Sequence, residues 1–287
     1  VLTELVNTEI AMGEVDSAIK RLTGVLEQEP ENRIAHDLLG IAYMTKQDYA
    51  AAEQSFGNQL KVNPESSVVY TQIAAARARQ GNTDGAVQAF NDGLAVLPND
   101  QRLLLGLAGF YTSQGNLDKA AAIFEQGMAA EPDNDRYTLG LSGIRERQQR
   151  YEDAIGMYEQ ALEKKPDNLI YINNLAALLS DHRDDPPSLQ RARELALKLA
   201  DSEQPALLDT LGWVHYRLGE YDEAADVLSD VVAKAPDVPV FNYHLGMTYY
   251  RQGDKRAAKE ILAKAVAEDA DYEGIEEARA AYAEVSK

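Results

Sequence analysis

The sequence predicts an all-α fold, an α-solenoid of stacked helical hairpins ended by a C-terminal capping helix. Three observations predict it. Pro30, Pro64, Pro98, Pro132 and Pro166 return at a constant step of 34 residues. Ala18, Ala52, Ala86, Ala120 and Ala154 keep the same step, and Phe56, Phe90, Phe124 and Tyr158 follow the last four of them by four residues. A turn residue stands five places before such an alanine: Gly13, Gly81 and Gly115, Gly219 before Ala224, Gly253 before Ala258, and Gln47 and Gln149 in two further units. A period of this length marks an array in which each unit hides its apolar side only against its neighbours.

Each unit reads as two amphipathic helices. The first carries apolar residues at helical spacing, as in Leu38, Leu39, Ala42 and Tyr43. A turn such as Gln80-Gly81-Asn82-Thr83-Asp84 closes it, Gly supplying the left-handed conformation and Asn or Asp capping the next helix. The second helix runs to the proline, which has no N–H to continue it. Gly40, Ala74, Ala108, Gly212 and Gly246 stand where the two helices are expected to cross most closely. The units fall at 33–66, 67–100, 101–134, 135–168, 169–204, 205–238 and 239–272, after a partial unit 1–32, in one solenoid domain over 1–287. Unit 169–204 is two residues longer and carries Asp184-Asp185-Pro186-Pro187 between its helices, a plain insertion or a feature that a partner reads. Ala270 replaces the last expected proline, and 273–285 continues as an amphipathic helix with Ile275, Ala278, Ala281 and Tyr282 inward, the expected cap. Val1 falls within a helix already under way, so upstream repeats are expected.

Composition narrows the partners. The 287 residues hold 47 acids and 28 Lys or Arg, a formal charge of −19. Such a chain repels phosphate backbones and anionic lipid heads, so neither nucleic acid nor membrane insertion is expected. No run approaches the ~18 apolar residues of a membrane span. Without cysteine there is no disulfide, thiolate zinc site or thiol nucleophile.

No residue pattern calls for catalysis or a cofactor. His36, His182, His215 and His244 are not in zinc-binding spacing, and His215 is expected to be a packed structural side chain. Gly106-x-x-Gly109 and Gly140-x-x-Gly143 lie inside first helices, not in the strand-to-helix turn of a phosphate loop. Asp133-Asn134-Asp135 lacks the Gly and distal Glu of a calcium loop. The expectation is a non-enzyme without metal or cofactor.

Leu211-Gly212-Trp213-x-x-Tyr216, then Ala224 and Pro236, resembles the tetratricopeptide repeat (TPR) family in order and spacing, and the resemblance covers almost the whole chain. It implies a right-handed superhelix whose first helices line a concave groove for a protein or peptide; self-association is left open. The family's groove-facing places are the second, fifth, sixth, ninth, twelfth and thirteenth of each unit. In units 101–134 and 135–168 these places include Gly106, Gly109, Gly140 and Gly143, with Arg79, Arg102, Arg136 and Arg147 as a secondary groove. Helical glycine costs about 1 kcal/mol relative to Ala, so tight hairpin packing or a channel for a partner backbone must offset it. The arginines take up a partner's carboxylates or pair with neighbouring acids.

In the last three units the projected lining is Asn173, Asn174, Asp209, Thr210, Trp213, Tyr216, Arg217, Tyr243, His244, Met247, Tyr250 and Arg251. Aromatics with Arg have the composition of binding hot spots, and paired Asn side chains suit clamping an extended backbone. Trp213 is the pivotal case: an exposed or half-exposed groove anchor, or a core residue.

The stretch Asn173-Asn174-Leu175-Ala176, Pro205 to Trp213 and Tyr243-His244-Leu245-Gly246 is similar to the C-terminal units of bacterial envelope TPR lipoproteins and of exopolysaccharide-export proteins of PEP-CTERM systems. That implies a periplasmic or outer-membrane-associated scaffold for secretion or processing partners. The alternatives are a cytoplasmic peptide-binding adaptor or co-chaperone, and the TPR arm of a larger enzyme such as a glycosyltransferase. Asp37, Thr71, Leu105 and Leu139 stand where a carboxylate-clamp co-chaperone needs Lys or Asn, which weakens the adaptor reading.

Overall fold

The computed structural model describes residues 1–267 and 270–287, so positions 268 and 269 of the last expected repeat lie outside the described residues. All regular structure among the described residues is helical, with seventeen α-helices in stacked pairs. The fold is the all-α, solenoid-like array that the 34-residue period predicts. The chain divides into two compact units, Val1–Gln148 and Gln149–Lys287.

The first unit holds α1 (Leu2–Ala11), α2 (Val15–Gln28), α3 (Arg33–Thr45), α4 (Tyr49–Val62), α5 (Ser67–Arg79), α6 (Thr83–Val96), α7 (Gln101–Ser113), α8 (Leu117–Ala130) and α9 (Asp135–Arg147). Short polar side chains start many of these helices. Asn32, Asp48, Asn82 and Asp100 each accept a backbone N–H of the first turn, satisfying a donor that has no partner within the helix. The recurring aromatics fill the space between hairpins. Phe56, Tyr70, Phe90, Leu103 and Leu107 form one buried cluster.

The second unit holds α10 (Tyr151–Lys164), α11 (Leu169–His182), α12 (Pro186–Ala196) with a 3₁₀ turn at Leu197–Leu199, α13 (Pro205–Leu218), α14 (Tyr221–Lys234), α15 (Pro239–Gln252), α16 (Lys255–Ala265) and α17 (Ile275–Val285). Pro186 and Pro205 stand in the first turn of their helices, where a missing N–H costs nothing. The two extra residues of 169–204 do not both fall between its helices. Helix α12 starts 17 residues after α11, against 16 from α3 to α4, and α13 starts 19 residues after α12, against 18 from α4 to α5. The first of the two lies in α11 itself, which has 14 residues against 13 in α3, and the second lies between the starts of α12 and α13.

Three hairpins are tied to the preceding hairpin by a bond at one register. The residue at the end of a first helix reaches an acid in the first turn of the previous second helix: Lys46 to Asp16 and Gln148 to Asp118 in the first unit, Gln252 to Asp222 in the second, each at 2.7 Å. The sequence separation is 30 in all three.

All seven turn positions singled out in the sequence are left-handed. Gly13, Gly81, Gly115, Gly219 and Gly253 have φ between 72° and 84°, and Gln47 and Gln149 adopt 64° and 58° without the freedom of glycine. A Cβ in this region costs about 1–2 kcal/mol. Gln47→Gly and Gln149→Gly are each expected to stabilise the protein by about 1 kcal/mol in chemical denaturation; no gain in either would contradict the turn geometry.

Gly212 and Gly246 sit at tight helix crossings, as does Gly40, where an added Cβ would strike the Phe56 ring. A Cβ on Gly212 would stand 2.5 Å from Leu228 Cγ, and one on Gly246 would stand 2.7 Å from Leu262. The glycines of α7 and α9 divide into two kinds. Positions 106 and 140 are packed: a Cβ there would strike the rings of Phe90 and Phe124 on the preceding second helices. Positions 109 and 143 face open space, with no atom within 4 Å of an added Cβ. Gly109→Ala and Gly143→Ala are therefore expected to raise stability by about 1 kcal/mol each through helix propensity. Gly106→Ala and Gly140→Ala should lower it by about 1–3 kcal/mol through overpacking. Thermal melts of the four variants read the difference in sign.

Candidate functional site

The residues projected from the last three units come together in the second unit, but chiefly as an interior. Helices α11, α13 and α15 pack side by side, and α17 covers α15. Trp213 of α13 is 8% exposed. The structure thus corrects the expectation of an exposed or half-exposed anchor. The Trp213 ring is stacked on Tyr216 at 4.4 Å and on His244 at 4.1 Å, and its Nε1–H donates to Asp181 at 2.6 Å. Tyr243 and Met247, each 3% exposed, belong to the same cluster as Trp213 and the inner face of α17. They are core side chains, not groove lining.

The polar members are turned inward as well. Buried Asp209 bonds Nδ1 of His244 at 2.9 Å. An ionised carboxylate only accepts, so this ring nitrogen carries the hydrogen. Thr210 is also buried and bonds back to Ala206 O at 3.4 Å. Asn174 donates to Tyr158 of the preceding hairpin at 3.0 Å and Asn173 donates to Asn174 at 3.2 Å, so both are engaged within the protein. Tyr243 and Tyr250 donate to Glu277 and Glu284 of α17 at 2.8 and 2.6 Å. Burial pushes the Tyr243 phenol well above its ordinary range and Tyr216 up to about 12. Both remain proton donors at neutral pH.

What stays open is a cleft of about 290 Å³ lined by Trp213, Tyr216, Arg217, Tyr221, Arg251 and Glu277. Its two arginines differ. Arg217 is held by Asp184 at 2.5 Å, so the Asp184-Asp185-Pro186-Pro187 segment serves a neighbouring helix. Arg251 is exposed and bonds only the Tyr221 hydroxyl, at 3.1 Å, over whose ring it lies. Tyr221 and Glu277 are members of this cleft that the sequence did not single out. Both lie outside the first-helix places of the repeat, on the start of α14 and on α17. The cleft falls just below the ~300 Å³ at which small-molecule pockets begin, so it suits one large side chain.

The secondary set lies in the first unit. Arg79 on α5, Arg102 on α7 and Arg136 and Arg147 on α9 are all exposed. Among the described residues none of them has an ion pair or a side-chain hydrogen bond. The intramolecular pairing considered for them is instead found at Arg77 and Arg145, which turn toward second helices and bind Glu53 at 2.8 Å and Glu125 at 2.6 Å. His215, read as structural, is buried with Nδ1 2.6 Å from Glu220.

Three models of the tetratricopeptide repeat match the sequence, over residues 3–66, over 77–142 with 215–285, and over 139–170. The chain is a tetratricopeptide repeat protein. The unmatched stretch 171–214 holds all but the first two residues of the lengthened TPR unit. No protein of curated function matches. Among solved structures, a TPR protein from Parabacteroides merdae shares 19% identity over 86% of this chain and 97% of that one, with a TM-score of 0.50. Yeast Tom70 shares 17% over 95% of this chain and 58% of its own, with a TM-score of 0.57. The APC/C hetero-tetramer Cut9–Hcn1 gives 14%, 95%, 53% and 0.61 respectively. This TPR chain thus spans little more than half of the last two. At such identities the likeness speaks for the shared TPR fold alone. Among the described residues no group of three or more His, Cys, Asp or Glu is placed to hold a metal, and no helix is long and apolar enough to cross a membrane.

Proposed function

We propose that this protein is a non-catalytic scaffold that holds a protein or peptide partner against the first helices of its hairpins. The observation that carries this reading is the aromatic-floored cleft beside Arg251. Trp213 and Tyr216 are fixed there by stacking, and the Arg251 guanidinium at the rim makes no close ion pair among the described residues, sharing the cleft with the Glu277 carboxylate. A rigid aromatic floor with an adjacent Arg is the arrangement in which a single inserted side chain contributes most of a binding energy.

The test uses Arg251→Glu, an exposed change that leaves the packing intact. Cross-linked affinity capture from the native host is expected to recover a partner with the wild type and at least tenfold less with the variant, at equal melting temperature. Equal recovery by both proteins would rule out the cleft as the binding site.

Within this reading, a place in a bacterial envelope assembly for secretion or processing, on the periplasmic side, is supported by the Asn173-Asn174-Leu175-Ala176 and Pro205 to Trp213 stretches and their likeness to envelope TPR proteins. Fractionation of the native protein checks it: recovery with periplasm or outer membrane is expected, and recovery with cytosol alone would refute it.

A further inference from the structure

The first unit presents a face on α5, α7 and α9 that is separate from the cleft, and its charge runs against that of the chain. The eighteen projected places on these three helices hold Arg79, Arg102, Arg136 and Arg147 and a single acid, Glu146, which has a partner of its own. The whole chain carries −19. In so acidic a protein, four exposed arginines with no carboxylate partner among the described residues mark a surface whose counter-charge comes from another molecule.

The placement on the helices says more. Arg102 and Gly109 are seven residues apart on α7, two turns, and so share a face; Arg136 and Gly143 repeat this on α9, with Arg147 one turn further. On α5 the same register holds Ala75 and Arg79. The arginines therefore form two rows, one near the helix starts and one near the ends, separated by eleven residues or about 16 Å. Between the rows the floor is Ala75, Gly109 and Gly143, and the two glycines have no packing reason to be glycine, since no atom lies within 4 Å of an added Cβ.

We propose that this trough binds an extended acidic polypeptide segment, with its backbone on the glycine floor and its successive side chains reaching opposite arginine rows. Side chains of an extended strand alternate in direction, so a run of consecutive acids feeds both rows, while acids at every second place feed only one. Guanidinium forks suit carboxylates in particular.

The experiment is a fluorescence anisotropy titration of the full chain with a labelled deca-glutamate peptide at low salt. Saturable binding is expected, weakened at least tenfold in Arg102→Ser/Arg136→Ser. It should stay within twofold in Arg191→Ser/Arg279→Ser, which removes the same charge from the second unit, and in Arg251→Glu. Alternating Glu-Gly peptide is expected to bind several-fold more weakly than deca-glutamate. Gly109→Leu/Gly143→Leu, whose side chains point into open space, is expected to melt no lower than the wild type and to lose at least fivefold in affinity.

Absence of binding at millimolar peptide, equal losses in the Arg191→Ser/Arg279→Ser control, or equally tight binding of a ten-nucleotide oligothymidine would overturn the proposal. So would a sedimentation result in which the wild type self-associates and Arg102→Ser/Arg136→Ser does not, which would make this face a contact between copies. Because the cleft variant Arg251→Glu is carried in parallel, failure here and failure of the cleft reading are scored separately.

Discussion

Trp213→Ala is expected to destabilise the second unit by about 3–5 kcal/mol, the range for deleting a large buried aromatic. The ring touches Tyr216, Tyr243 and His244, which come from two different hairpins, so a void there is bordered by α13 and α15 and collapses poorly. The change also removes the donor to Asp181. Trp213→Phe keeps most of the stacking and is expected to recover more than half of the loss. Denaturant unfolding followed by circular dichroism reads both. A loss under about 1 kcal/mol for the Ala variant would mean that the ring is not part of the interior.

Removal of residues 273–287, which carry α17, is expected to be comparably severe. Helix α17 covers the Trp213, Tyr243 and Met247 cluster with Ala278 and Ala281 and receives the hydroxyls of Tyr243 and Tyr250. Uncovering a large apolar side chain forfeits about 1.5–3 kcal/mol. With at least two such side chains affected, a loss of about 3 kcal/mol or more follows, and the melting temperature should drop by on the order of 10 °C. Exposed aromatic surface should also make the shortened chain self-associate. Glu277→Gln/Glu284→Gln keeps the covering helix and both acceptors, and it is expected to cost less than about 1 kcal/mol. A truncated chain that melts with the full-length protein would show that the last hairpin does not need its cover.

The fold was legible because a solenoid writes its contacts into one short period. The step of the prolines and alanines gave the helix pairs. The step of the turn residues located the left-handed positions, including Gln47 and Gln149, where residue type alone would not have pointed to positive φ. The site was legible only in part. Aromatics beside Arg and Asn have the same composition whether they wait for a partner or knit two hairpins together. For Trp213, Tyr243 and Met247 the second outcome holds, because α15 and α17 close over them. No property of the isolated unit reports what the following unit will cover. The glycines show the same limit: 106 and 109 read alike in sequence, yet one meets Phe90 and the other meets nothing. Arg79, Arg102, Arg136 and Arg147 were legible as candidates. Their lack of carboxylate partners depends on the rotation of each helix, which also turns Arg77 and Arg145 toward Glu53 and Glu125.

The tie from the end of one first helix to the start of the previous second helix, at a fixed separation of 30 residues, bears on how such a gene can change length. Excising or duplicating one whole 34-residue block brings equivalent donors and acceptors face to face again, so the array tolerates editing in complete periods. A cut one residue longer or shorter inside a helix rotates the remainder of that helix by about 100° and turns its buried side away from its neighbours, whereas the two extra residues of 169–204 are absorbed and the helix pairs after them still form.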